Sequence, residues 1–211
     1  MDDRQIFAAI ADERRQLAAL LDTFTPDQWA TDSLCQEWTV RDVAAHLLMP
    51  LITPALKFIL AMAKALGNFD KANLALTGDV AHRHGQELAE LLRAHADSLF
   101  TPPGHGPLAP LTDVIIHGQD IRRPLHITRT FDPERQLAVL SFLTSPTATR
   151  GFARKNPQLC WETTDLDWSN GEGPVVHGPA EALMLVLAGR DTALTDISGD
   201  GAEILRTRAE R

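Results

Sequence analysis

Through residues 4–22 (RQIFAAIADERRQLAALLD), Ile6, Ile10, Leu17 and Leu21 recur near helical spacing with charged residues between them, which predicts an amphipathic first helix. The stretch FTPDQWATDSLCQEW breaks that period and reads as a long connection with turn residues and two tryptophans. The helical pattern resumes in TVRDVAAHLLM, where Thr39 is a good N-cap and Asp42, three residues on, completes a variant capping box. His46 lies one turn beyond Asp42. Pro50 lacks an N–H and clashes with the carbonyl of His46, so the helix should kink or stop just beyond the histidine. Thr53-Pro54 can restart it as N-cap and first helical residue. The largely apolar run Val43–Leu66 is interrupted by His46, Pro50, Pro54, Lys57 and Lys64, with no clean stretch of 18 residues, and reads as a buried core helix rather than a membrane span.

A third long helix is predicted from about Lys71 to Asp97, with Leu88, Leu91 and Leu92 as its apolar stripe, and TPPGHGP at 101–107 is a loop. The run LTDVIIHGQDIRRPL gives a fourth helix that ends before Pro124. Four such helices predict a bundle whose core can hold a site on facing helices. After residue 130 the pattern changes. Asp132-Pro133-Glu134 opens a helix to about Leu143, LCWETTDLDW and VVHG read as strands separated by a GEGP turn, and PAEALMLVLAGR is an apolar helix stopped near Gly189. TALTDIS reads as a last strand before a short C-terminal helix. The expected fold is therefore mainly α: a four-helix bundle over residues 1–128 followed by a small α+β domain over 129–211.

A chain of 211 residues with 44% hydrophobic residues can build a proper core. A formal net charge of -8 argues against a nucleic-acid partner, because phosphate contacts need a basic footprint. Arg122-Arg123 is too short to be one; it suits a small acidic substrate or a pairing with Asp120. Two cysteines, Cys35 and Cys160, make no disulfide framework, and the N-terminus has no continuous apolar signal region. A reducing, cytoplasmic location and no membrane partner are the expectations.

There is no Walker loop, no G-x-G-x-x-G, no nucleophile elbow and no CxxC. What remains is Asp113 and His117, four residues apart and so on one helix face, and His46 on another helix. An aspartate and a histidine so placed can share a metal, act as an acid/base pair, or only hydrogen-bond. With His46 they make two imidazoles and a carboxylate, the donor set of a catalytic metal site that keeps positions open. The other histidines have weaker claims: His82 and His84 flank an arginine on a solvated face, His95 sits near a helix end, His105 in a loop, His126 after a proline, and no spacing ties His177 to the first three. Cys35 reads as a buried small hydrophobe in preference to a thiol at the site's edge.

SLCQEWTVRDVAAHL resembles the N-terminal motif of the mycothiol-dependent maleylpyruvate isomerase family, a branch of the DinB/YfiT-like metal-binding bundles, and DVIIHGQDIRRPL resembles its last bundle-helix motif. TDLDWSNGEGPVVHGPAEALMLVLAGR resembles the α+β domain that follows the bundle in many members, so the likeness spans nearly the whole chain. The resemblance implies a divalent metal, commonly zinc, held here by His46, Asp113 and His117. The family's isomerase carries Glu at the carboxylate position, so Asp113 is one methylene shorter. The resemblance also implies a substrate-side arginine, for which Arg190 is the best match, while Asp120 can orient Arg122 or a metal ligand.

The implied cosubstrate is a low-molecular-weight thiol, mycothiol in actinobacteria. A thiol of pKa about 8.5 is only a few per cent ionised at neutral pH, so full ionisation gains roughly thirtyfold in thiolate, and positioning against an electrophile must supply the rest. Addition to an activated double bond, rotation and elimination give cis–trans isomerisation; a leaving group gives S-transfer. Two other classes fit the same residues: a metal-dependent hydrolase of small molecules, in which water replaces the thiol, and a module that binds a small ligand without turning it over.

Overall fold

Ile6, Ala9, Ile10, Leu17, Ala18 and Leu21 are all buried along α1 (Asp3–Leu21), the stripe that its sequence period requires. In this computed structural model, which describes residues 1–156 and 158–210, the chain forms two compact units. One comprises Asp3–Phe100 with Asp113–Thr128; the other comprises Thr101–Thr112 and Arg129–Arg211, with Met1–Asp2.

The first unit is helical. After α1 comes a short α2 (Pro26–Ala30), started by a Thr25/Gln28 capping box, and then α3 (Val40–Ile52). The Thr39/Asp42 capping box is formed in both directions: Asp42 N–H donates to Thr39 Oγ1 at 3.3 Å, and Thr39 N–H donates to Asp42 Oδ2 at 2.9 Å. Pro50 lies inside α3, which stops two residues after it at Ile52, so the helix does end beyond the histidine but the proline itself is not the stop. The restart is shifted by one residue, with Thr53 closing α3 and Pro54 capping α4 (Ala55–Lys64). The run Val43–Leu66 is thus two helices. α3 is buried at Val43, Ala44, Ala45, Leu47, Leu48 and Met49, but α4 has no buried residue, so the expected core helix covers only the first half.

The helix expected over 71–97 is broken into α5 (Phe69–His84) and α6 (Leu88–Ala94). The break is at Gly85, whose carbonyl accepts a hydrogen bond from Arg41 Nη1 at 3.0 Å. A Cβ there would lie 2.7 Å from the Ala81 carbonyl oxygen and 2.9 Å from the same guanidinium, so glycine is what lets the side chain approach. α3 packs on α5 and α6, α1 packs on α6, and α4 packs on α5. α7 (Leu108–Arg122) buries Val114, Ile115, Ile116 and Ile121. Fully burying an aliphatic side chain of this size stabilises by ~1.5–3 kcal/mol, which sets these helices around a common core.

In the second unit, Asp132 caps α8 (Pro133–Leu143) by accepting from the Glu134 N–H at 2.9 Å. A three-stranded sheet follows in the order β2-β1-β3: β1 (Cys160–Thr163) pairs antiparallel with β2 (Ser169–Asn170) and parallel with β3 (Val175–Gly178). Trp161 and Val176 are register partners and both point inward. α9 (Ala180–Leu187) is buried almost all round. The segment expected as a last strand is instead a 3₁₀ helix, Asp191–Asp196, and only Ser198 reaches the sheet, as a bridge to His177. Its buried residues Ala193, Leu194 and Ile197 follow a turn-like spacing, not a strand's alternation. α10 (Asp200–Ala209) ends the described chain. The fold is mainly α, with one small sheet. Among the described residues no single helix is long and apolar enough to cross a membrane.

Candidate metal centre

α3 and α7 bring three side chains to one point. His46 Nε2 lies 3.9 Å from Asp113 Oδ1, and His117 Nε2 lies 3.5 Å from the same oxygen. One ligand atom from each residue lies within 4.8 Å of the other two. Donors bound to one tetrahedral zinc at ~2.0–2.1 Å stand about 3.3 Å apart. The contacts are too long for good hydrogen bonds and close to the separation that a shared cation needs. The donor set therefore fits a divalent metal, with two imidazoles and one carboxylate leaving coordination positions for other ligands. The side chains are 17%, 27% and 14% exposed for His46, Asp113 and His117, so the site opens to solvent on one side.

Behind His117 stands Asp120, one turn further along α7 and fully buried. His117 Nδ1–H donates to Asp120 Oδ2 at 2.8 Å. This fixes the ring orientation and the tautomer that leaves the Nε2 lone pair pointing towards Asp113, the arrangement by which a carboxylate prepares a histidine to bind a metal. Asp120 thus orients His117, one of the two roles its position allowed. Cys35, in the connection before α3, also donates its S–H to Asp120 Oδ2, at 3.1 Å, and its sulfur is 3.6 Å from His117 Nδ1. Cys35, His117 and Asp120 form a second group at metal-ligand spacing. The thiol is at the site's edge, which corrects the expectation of a buried small hydrophobe. The reason is a long-range one: Leu34 N–H donates to the Asp120 carbonyl at 3.1 Å and docks that connection on α7.

His46 is held differently. Its ring packs at a tilt against Trp38 (centroids 5.1 Å, 50°) and meets the His117 ring edge-on (4.8 Å, 74°), while its Nδ1 is buried without a hydrogen-bond partner among the described residues. Aromatic packing, rather than a carboxylate, sets this ring. Nearby, the buried Arg14 guanidinium donates to the carbonyls of Ala96 (3.1 Å) and Ser98 (2.9 Å). Burial pulls its pKa below the usual arginine value, and the Asp113 charge pushes the other way. Arg122 is also buried, its guanidinium folded back over Gly118, where a Cβ would lie 2.5 Å from Nη1. It is therefore not an exposed anchor for an acidic substrate.

Arg190 belongs to the second unit, between α9 and the 3₁₀ helix, and donates to the Ala188 carbonyl at 2.6 Å. His177 is on β3, 3.4 Å from Glu162. His84 lies beside Glu87, and His105 beside the Phe152 ring. Cys35 and Trp38 are the site residues that spacing alone does not reveal, although both lie in the quoted stretch leading into α3.

Comparison with known proteins places this geometry in context. Residues 10–101 match the profile of the Mycothiol maleylpyruvate isomerase N-terminal domain; the match includes Cys35, Trp38 and His46 and stops short of α7. The fold is similar to the crystal structure of the mycothiol-dependent maleylpyruvate isomerase, with a TM-score of 0.62 at 14% identity, covering 96% of this chain and 94% of that one. It is also similar to a histidine-to-alanine mutant of that enzyme (TM-score 0.64, 15% identity, the same coverage). At such identities the likeness is one of fold. No curated protein matches the sequence.

Proposed function

We propose, from the match of residues 10–101 to the Mycothiol maleylpyruvate isomerase N-terminal domain, that the protein is a metal-dependent enzyme using a low-molecular-weight thiol, mycothiol in kind, to isomerise or transfer sulfur to a small electrophile. The observation that carries the reading is the convergence of His46, Asp113 and His117 at ligand spacing, with Asp120 set on the far nitrogen of His117. A divalent cation held there, zinc by its preference for this donor set, supplies Lewis acidity and favours the thiolate form of a bound thiol. The remaining work falls to the chain. Asp120 keeps His117 in its ligating tautomer. Trp38 walls one side of His46 and limits how that ring turns. Arg190 enters as the substrate-side arginine through the family resemblance and the sequence motif that precedes it, and its role is to hold an anionic group.

The test joins metal content to turnover. Untagged protein measured by elemental mass spectrometry should hold about one divalent ion per chain, lost in His46→Ala and His117→Ala. Loaded protein should consume an activated cis-alkene or alkyl halide only when a small thiol is added. Turnover that persists without thiol would point to hydrolysis instead. Absence of metal even after incubation with zinc would remove the catalytic reading.

A further inference from the structure

α4 is apolar by its sequence, yet the fold leaves it uncovered. None of its residues is buried, and Leu56, Ile59 and Leu60 are 68%, 60% and 54% exposed. Their spacing, continued by Ala63, places them on one face of the helix. The opposite face, with Phe58, Ala61 and Met62 only partly exposed, packs on α5. At the end of the helix Leu66 is 95% exposed and has a left-handed backbone (φ 54°), which a leucine adopts only at a cost. Phe69, at the start of α5, is 58% exposed. A contiguous apolar strip of this kind is a binding surface by its physics, because leaving it in water forfeits burial that the fold itself does not use.

Charge says what it binds. The chain carries 28 acidic residues, yet none lies between Asp42 and Asp70. Lys57, Lys64 and Lys71 are three of its four lysines, and all fall beside this strip. Lys57 and Lys64, two turns apart, sit on the same flank of α4. Lys57 is paired with Asp79, whereas Lys64 and Lys71 are exposed and have no carboxylate partner among the described residues. An exposed leucine-rich face edged by lysines is the pattern of a helix that lies in a membrane interface, its ammonium groups reaching up to the headgroups. A second copy of the chain fits less well, because two such strips face to face would bring Lys64 and Lys71 of both copies together with only Asp70 beside them in the sequence, Asp79 being already paired with Lys57 and Arg83.

We propose that α4 and the turn into α5 form a docking surface for a lipid bilayer carrying anionic headgroups. The surface lies on the membrane and does not span it: α3 is buried in the unit's own core, and α3 and α4 meet at a bend of 119°. It departs from the sequence expectation of no membrane partner, and it is independent of the metal reading.

The experiment is flotation of the full-length protein with vesicles of phosphatidylcholine alone and of phosphatidylcholine mixed with phosphatidylglycerol, at low and high salt. The expected result is binding to the mixed vesicles, weakened by salt. Lys64→Gln and Lys71→Gln should each lower the partition coefficient about fivefold, and Ile59→Ser with Leu60→Ser should abolish it. These positions are exposed, so circular dichroism should show unchanged helix content. Failure of the wild type to float with the mixed vesicles would overturn the proposal. So would a dimer, seen by light scattering, that Ile59→Ser dissociates, which would give the strip to a second copy.

Discussion

Of the three candidate ligands, His117 alone has both ring nitrogens accounted for, one at Asp120 and one facing Asp113. His46 depends on Trp38 for its orientation. The consequence is a prediction about Asp120. Asp120→Asn keeps the size of the side chain but removes the charge that favours a donating Nδ1, so zinc affinity measured by chelator competition should fall roughly 10–100-fold. Cys35→Ser should leave affinity within a few-fold, since a hydroxyl can still donate to the same carboxylate oxygen. Equal zinc affinity in Asp120→Asn and wild type would show that Asp120 serves the core and not the ligand. At this scale the sequence was informative where spacing along one helix is enough, as for Asp113 and His117. It was uninformative for Cys35, whose distance to Asp120 depends on how a connection 85 residues away folds back onto α7.

Among the elements, α3 carries most of the responsibility, since its first turn determines the register in which His46 faces α7. That first turn is closed by the reciprocal Thr39/Asp42 box, with Thr39 Oγ1–H also donating to Asp42 Oδ2 at 2.6 Å. Thr39→Ala should therefore cost ~1 kcal/mol, a fall in Tm of about 2–4 °C for a chain of this size. Thr39→Ser should restore most of it. Calorimetry that finds Thr39→Ala as stable as wild type would mean the helix start is held by packing alone. The capping box could be read directly because its partners are three residues apart. The break between α5 and α6 could not, because it depends on Arg41 reaching Gly85 from another helix. The 3₁₀ helix Asp191–Asp196 reads as a strand in the sequence because a short apolar run has no period of its own to distinguish the two.

At the scale of the molecule, His46, Asp113 and His117 all fall in the compact unit made of Asp3–Phe100 with Asp113–Thr128, so the candidate ligands join distant parts of the sequence within one unit. A cation bound by the native site and not by the unfolded chain must stabilise the fold, by ~2.7 kcal/mol at a free concentration one hundred times Kd. Thermal unfolding of chelator-treated protein should therefore shift upward by several degrees when zinc is returned. A chain with a net charge of -8 attracts cations at many surface carboxylates, so a shift alone does not identify the site. The discriminating comparison is His46→Ala with His117→Ala, which keeps every carboxylate and removes only the imidazoles. The zinc-dependent shift should disappear in that variant; its zinc-free Tm should also fall, because His117→Ala takes a hydrogen bond from the buried Asp120 carboxylate, so the quantity to compare is each protein's own difference with and without zinc. A shift of equal size in the double variant would assign the stabilisation to the acidic surface, and the convergence of α3 and α7 would then be a polar contact rather than a metal centre.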